Sequence, residues 1–378
     1  SWAVPFIKLP EFLRLRGVRL SNIDSIEFKD LNAQTRWDHS IGVGHLAHYA
    51  SRLLNLDKKD TIHLTIAALL HDIATPPFAH TIESIFSDYN HEYETYKILT
   101  YTKSDYSDHN TLVYFSQHPK FIDECKKLTK TEKIRIDPNS IAETIIGRGQ
   151  WGHLIKGSID LDNIDNVFRV AHLMGNQIDK KLPYSLVNYI CNLKSQTNLR
   201  NSKNEFVKSW LGSRNFIYSN FYNSSTLELG REALLQHILF KCYKFGYLKE
   251  SMIWNTDDKL LMDISANSGK YSNNIIYSNS VKDLINKYYL LETLEKLGEI
   301  KIFDERIFSK LGNPDFVNWI RSKIITDFLD IYIIVKKKKF LTQYPQELFE
   351  DEIGKVVFFK HGNSRIKVKQ LPDWMQKQ

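Results

Sequence analysis

Residues 64–70 read Leu-Thr-Ile-Ala-Ala-Leu-Leu and are followed at once by His71 and Asp72. A run this apolar belongs in a core, and the Pro76-Pro77 break soon after it marks the end of a helix. An adjacent His and Asp are poor core residues and good ligands for a divalent metal. The chain must therefore fold so that an apolar helix delivers an ionisable pair to other polar groups. The rest of the sequence has to supply those groups.

Helical spacing dominates most of the chain. The pattern predicts a short helix over residues 10–16, with Pro10 at its first position and Gly17 at its end. A longer helix is expected from Asp38 to Leu54, and the next, capped by Asp60 or Thr61, runs to His71. Further helices are expected over 79–87, in pieces through 88–136 with polar loops such as 103–108, from Pro138 to Gly147, over 158–175, over Leu227–Lys244 with Ser225 or Thr226 as cap, and over Lys282–Leu297. Near the C-terminus the period becomes strand-like, in 330–335, 355–359 and 365–369. Lys336–Lys339 reads as a solvated strand edge guarded by lysine. The expected architecture is mostly α, with a helical core over residues 1–250 and a smaller α+β C-terminal part over 251–378.

Charge and cysteine usage narrow the setting. The 51 Lys and Arg against 44 Asp and Glu leave a net charge of +7. So small a surplus reads first as a mildly basic solvated surface and is compatible with anionic partners, nucleotides or nucleic acid. Cys125, Cys191 and Cys242 are far apart and form no CxxC pair, which argues for a reducing compartment. No run of about 18 apolar residues occurs. Ser1-Trp-Ala-Val-Pro5 has neither the basic nor the apolar region of a signal peptide. A cytoplasmic protein with no membrane partner is expected.

Four positions emerge as candidate ligands for one ion. They are His39, His71, Asp72 and a carboxylate from the set Asp160, Asp162 and Asp165. Two imidazoles and two carboxylates suit Mn, Fe, Co, Ni or Zn better than Ca, with Mg less well matched. Taken singly each element is weak, since a His-Asp pair arises by chance and the three aspartates also suit the first turn of a helix. The Gly-rich phosphate loops of dinucleotide and P-loop sites are absent, as is a serine nucleophile elbow.

Taken together these elements are more specific. Thr35-Arg36-x-x-His39-Ser40, His71-Asp72-(x)4-Pro77-Phe78-x-His80, His91-Glu92 and Ile159-Asp160-x-Asp162-x-x-Asp165 resemble the HD-domain phosphohydrolase superfamily. Within it the chain looks most like the deoxynucleoside triphosphate triphosphohydrolase branch, and Phe12-Leu-Arg-Leu-Arg16 is similar to an element preceding the first His there. The resemblance covers roughly residues 8–175. It implies a helical HD core and one divalent metal held by His39, His71, Asp72 and Asp162. It further implies His91 as a general acid for the leaving oxygen, and His80 and Arg36 beside the substrate phosphates. Thr75, Asn163, Asn166 and Arg169 fall at substrate-facing positions. A homo-oligomer and a nucleotide substrate are likewise implied.

Departures from the branch leave the substrate open. Thr75 stands where relatives commonly carry a histidine, and Asn163 and Asn166 stand where the animal enzyme has Lys and Tyr. Phe221–Thr226 occupies the place of a phosphate-gripping arginine stretch and carries no cation. The leading reading is a dNTP cleaved to deoxynucleoside and triphosphate. Two others stand beside it: an HD nuclease or phosphodiesterase acting on single-stranded nucleic acid or a signalling nucleotide, and a non-catalytic nucleotide- or partner-binding module. His45, His48 and His63 read as core or surface residues. Arg148, between Gly147 and Gly149, reads equally as a turn or a phosphate contact.

Overall fold

In the computed structural model, the structure describes residues 2–83, 85–86, 89–100, 120–193, 204–222, 226–270, 275–289, 294–302, 331–337 and 354–361. Among them the chain begins with the short helices α1 (Val4–Ile7), α2 (Pro10–Arg14) and α3 (Lys29–Asn32). The longer α4 (Arg36–Leu53) and α5 (Lys58–Leu70) follow, then α6 (His80–Glu83), α7 (His91–Thr100) and α8 (Lys120–Glu132). Next come α9 (Pro138–Ile145), α10 (Gly152–Ile155), α11 (Leu161–Leu173), α12 (Leu182–Cys191) and α13 (Glu205–Ile217). The last helices are α14 (Thr226–Lys244), α15 (Asp257–Lys270) and α16 (Ile275–Tyr289), and the strands are β1 (Leu294–Ile302), β2 (Ile331–Lys337) and β3 (Gly354–His361). The fold is mostly α, as the spacing predicts. Among the described residues no helix is long and apolar enough to cross a membrane.

Two units divide the chain. The first comprises Ser1–Glu83, Asp88–Ser219 and Glu250–Leu260; the second comprises Ser84–Ser87, Asn220–Lys249 and Leu261–Gln378. The expected boundary at residue 250 lies between segments that trade sides, with α14 in the second unit and residues 250–260 in the first.

The first unit is organised around α5. Every residue from Ile62 to Leu70 is buried. A helix apolar on all sides must be central. Its cap is Asp57, whose side chain accepts from the Asp60 backbone N at 2.8 Å. The expected cap, Asp60, is instead the third helical residue and accepts from Trp151 Nε1 at 3.0 Å. Beside it, α4 opens two residues earlier than spacing alone suggests. Thr35 forms a capping box with Asp38, which fixes Arg36 as the first helical residue. Ile62, Ile66, Leu69 and Leu70 join Phe6, Phe12, Leu15, Leu99 and Ile141 in one apolar cluster.

In the second unit, α14 buries Leu234, Leu235, Ile238 and Leu239 and packs against α16, β1 and β2. The strands form an antiparallel sheet in the order β1-β3-β2. β2 and β3 cover the expected strands, and Lys336 and Lys337 lie in β2, at the edge of the described sheet. β1 is a correction, because helical spacing was expected to continue to Leu297. The helix ends at Tyr289, and Leu294–Ile302 pairs with β3 across a register shift between Lys296 and Gly298. Gly298 disfavours helix, and the Ile300-x-Ile302 alternation suits a strand. The strand expected at 365–369, the loop 103–108, the Ser225 cap and Lys338–Lys339 lie outside the described residues.

Gly44 explains how closely α4 approaches α5. A Cβ there would sit 2.5 Å from Leu69 Cδ2 and 2.7 Å from Leu69 Cγ. Gly44→Ala is therefore expected to destabilise the protein by about 1–3 kcal/mol through overpacking. Denaturant unfolding checks this, and an unchanged midpoint would mean the two helices do not pack this tightly.

Candidate metal centre

Three helix ends, two of them with buried histidines and one with a half-buried aspartate, converge on one point. His39 lies in the first turns of α4, His71 directly follows α5, and Asp162 is the second residue of α11. Their ligand atoms all lie within 4.8 Å of one another. The His39 and His71 rings stand 5.4 Å apart at 77°.

His39 is fully buried and held at both nitrogens. Its Nδ1 bonds Asp165 Oδ2 at 2.8 Å and its Nε2 bonds Asp162 Oδ1 at 2.9 Å. Burial would lower its pKa, but the bonds to Asp162 and Asp165 outweigh burial and raise it to about 9. The metal-free ring is thus an imidazolium near neutral pH, with a proton on the edge facing Asp162. A cation bound at Nε2 would replace that proton.

His71 supplies the test of fit. Its Nδ1 lies 2.8 Å from the Ala68 carbonyl, which can only accept, so Nδ1 carries the hydrogen. Its Nε2 is buried and has no hydrogen-bond partner, the Asp162 oxygen being 3.8 Å away. Burial would lower the His71 pKa, but Asp72 and Asp162 outweigh it and raise it, and a buried nitrogen left without a hydrogen-bond partner is costly unless something fills the gap. An imidazole lone pair beside a second imidazole and a carboxylate is the donor set of a divalent transition metal. The residues fit such an ion.

Asp72 stands at the rim of this set rather than within it. Its Oδ2 is 3.6 Å from His71 Nε2 and accepts from Arg36 Nη1 at 2.8 Å. Its Oδ1 accepts from the Thr75 hydroxyl at 3.0 Å and lies 3.9 Å from His91 Nε2. Burial would raise its pKa, but Arg36 first, then His71 and His91, hold it well below the usual carboxylate range. Thr75 is thus a support for Asp72.

On the far side of Asp72 is a second imidazole pair. Glu83 accepts from His91 Nδ1 at 2.5 Å with one oxygen and from His80 Nδ1 at 2.6 Å with the other. The two rings are 6.0 Å apart. Burial opposes ionisation of Glu83, but its bonds to His80 and His91 hold its pKa far below normal. For His91 burial works downward, while the Glu83 bond and charge prevail and raise its pKa.

Other expected contacts take supporting places. Arg169 forks onto Asp165 with Nε at 2.8 Å and Nη2 at 2.9 Å, and its Nη1 reaches Gln34 at 3.4 Å. It therefore braces Asp165 behind His39, which corrects its expected substrate-facing role. Asn163 donates its side-chain amide to Asp160 at 2.9 Å, and Asp160 caps α11. That too is a structural duty rather than a ligand contact. Asn166, one turn beyond Asp162, is half-buried and lies on the same helix face. His63 accepts from the Asp137 backbone at 3.2 Å, and His45 and His48 are exposed on α4. Arg148 is exposed in a turn whose flanking glycines have φ of 84° and 74°.

The His71–Thr75 turn is tied from outside. Arg14 donates to the Ile73 and Thr75 carbonyls at 3.0 and 2.6 Å, and Tyr89 donates to Ala74 O at 2.5 Å. Asp165, Glu83, Tyr89 and Arg14 were not anticipated in these roles. Only the spacings offered a signal, Glu83 three residues after His80 and Asp165 three after Asp162.

Residues 36–136 match the HD domain family model. The chain is 24% identical to the uncharacterized protein MJ1154 of Methanocaldococcus jannaschii, across 87% of this chain and 65% of that protein. It is 27% identical to the deoxynucleoside triphosphate triphosphohydrolase SAMHD1 homolog of Dictyostelium discoideum, over 46% of this chain and 34% of that protein. The Danio rerio SAMHD1 is 34% identical over 21% of this chain and 14% of its own length. The chain thus spans less than two thirds of the length of these relatives. The crystal structure of a phosphohydrolase from Bacteroides thetaiotaomicron shares the fold, with a TM-score of 0.60 at 13% identity over 95% of both chains.

Two outcomes test the centre. Metal uptake must expel the His39 proton and that of His71, whose pKa is also raised, so affinity should rise at least about tenfold per pH unit towards pH 9 and level off above it. Calorimetry in buffers of different ionisation enthalpy would reveal the released protons, and a flat pH dependence would contradict the arrangement. A Cβ at Gly42 would fall 2.1 Å from Asp165 Oδ1 and 2.5 Å from Arg169 Nη2. Gly42→Ala should therefore displace the brace behind His39 and weaken metal binding about 10–100-fold. Manganese titration checks this, and wild-type affinity would refute it.

Proposed function

For a chain whose residues 36–136 are an HD domain, we propose a metal-dependent phosphohydrolase acting on nucleotides, with cleavage of a dNTP to deoxynucleoside and triphosphate as the leading reaction. The observation that supports it most is the placement of Asp72. One of its oxygens faces His71 and the metal donors at 3.6 Å, and the other faces His91 at 3.9 Å. Ligands and a proton donor therefore flank a single buried carboxylate.

A divalent ion held by His39, His71 and Asp162, with Asp72 beside them, would supply Lewis acidity to a phosphoryl oxygen and to water. The protein's own groups do the rest. Glu83 fixes the His91 ring by its Nδ1 hydrogen, so Nε2 is the atom aimed towards Asp72. As water attacks phosphorus and the 5′ oxygen departs in line, His91 Nε2 is placed to give that oxygen a proton. Arg36, oriented by its Nη1 bond to Asp72, brings a planar charge suited to the equatorial oxygens. His80 is exposed and shares Glu83, which suits a contact to the outer phosphates. The exposed edge of Asp162, at 36% side-chain exposure, is where the centre opens. A homo-oligomer, with the C-terminal part in an oligomerisation or regulatory role, belongs to the same proposal.

A second reading has its own support. Thr75, Asn163 and Arg169 are all engaged inside the protein, so three expected substrate contacts are missing. A substrate with less phosphate charge, such as a phosphodiester in single-stranded nucleic acid or a signalling nucleotide, suits that loss.

Incubation of manganese-loaded protein with each dNTP should release inorganic triphosphate. His91→Asn should lower kcat about 10²–10⁴-fold while leaving metal content unchanged. Cleavage of DNA or a cyclic nucleotide without triphosphate release would select the second reading. Metal and nucleotide binding with no turnover of any substrate would leave a non-catalytic module.

A further inference from the structure

We propose that Asp257 is a positioning residue that locks the turn carrying His80 and Glu83 in register with the entry to α4. It lies far outside residues 36–136 and touches none of the groups assigned to the reaction. The proposal rests on the reading of His91 as proton donor only for its functional consequence, not for the geometry.

The turn it holds is strained. Phe78 and Ala79 have φ of 55° and 43°, two consecutive non-glycine residues in the left-handed region. Both are buried, at 1% and 2% exposure. Side chains with a Cβ seldom occupy that region singly, and a successive pair persists only where neighbours impose it. The next residues are His80 and the single turn α6, which ends on Glu83. Glu83 in turn holds His91. The left-handed pair therefore sets the direction of the whole imidazole–carboxylate array.

Asp257 meets that turn at its first strained residue. Its Oδ1 accepts from the Phe78 backbone N at 2.9 Å. Its Oδ2 accepts from both the backbone N and Nη1 of Arg19, each at 3.0 Å. The carboxylate is fully buried. Arg19 forms an isolated antiparallel bridge with Thr35, and Arg36 N donates to Val18 O at 2.8 Å. Thr35 caps α4, so the second oxygen of Asp257 is tied to the segment that places Arg36 and His39. One side chain thus spans the two halves of the centre. A buried ion pair is a poor device for stability alone, since an apolar residue of similar size often serves as well. Two oxygens each aimed at a backbone N–H instead specify geometry.

The test uses the full chain and needs no substrate. Amide exchange and the imidazole N–H signals of His80 and His91 are measured in Asp257→Ala, Asp257→Asn and Ala79→Gly. Asp257→Ala should lose at least tenfold protection in residues 78–83, with both imidazole signals lost, while bound manganese and cooperative unfolding persist. Asp257→Asn keeps an acceptor for Phe78 N and should restore most of that protection. Ala79→Gly, in the otherwise intact chain, should raise the melting temperature by about 2 °C, because glycine adopts the left-handed region freely. Unchanged protection of 78–83 in Asp257→Ala, or loss spread evenly over the chain, would overturn the proposal. If Asp257→Ala does not fold, a lowered melting temperature in Ala79→Gly would overturn it as well. If wild-type protein hydrolyses no nucleotide while Asp257→Ala still shows these exchange changes, the catalytic reading fails and the positioning role stands.

Discussion

A helix buried on every side cannot end on an ionisable pair unless partners are already waiting for it. α5 is such a helix, buried from Ile62 to Leu70 and followed by His71 and Asp72. Leaving a charged or polar group unpaired in that environment costs more than most single packing contacts return. The neighbouring elements meet this demand one by one. Arg36 and Thr75 take the two oxygens of Asp72, the Ala68 carbonyl takes one nitrogen of His71, and Asp162 and His39 gather round the other. The centre follows from the burial of α5.

The same physics explains the layering behind the first ligands. His39 is as buried as α5, so its second nitrogen also needs a partner, and Asp165 provides it. Asp165 is then a largely enclosed carboxylate in its own right, and Arg169 neutralises it with two bonds. Gly42 leaves the space in which that pair lies against α4. Each layer fixes the orientation of the one before it. Outer partners of this kind set the tautomer and aim of a metal-binding imidazole.

Much of this was legible in the residues. The long helices, the strands at β2 and β3, and the His39, His71 and Asp162 cluster sit where spacing and motif placed them. Spacing was less informative where two signals competed. Lys282–Leu297 carries helical periodicity, yet Gly298 and pairing with β3 turn its last residues into β1. Asp60 and Thr61 looked like caps, but Asp57 precedes them and took the role, since the first residue able to accept from an orphan N–H defines the helix start.

The sequence by itself determined that an apolar helix would end on an ionisable His-Asp pair, and which imidazoles were available to join it. Those are local facts, carried by periodicity and by the chemistry of residue types. Tertiary structure decided the division of labour. Asp160, Asp162 and Asp165 lie within two turns of one another, yet one caps α11, one faces the ligand cluster and one backs His39. Their phases on the helix differ, and only the placement of α4 and α5 against α11 says what each phase meets. The same holds for Arg169, drawn inward by Asp165, and for Asp257, whose partners Arg19 and Phe78 are far away in sequence. Which buried groups pair is a property of packed surfaces, and no short stretch of residues contains it.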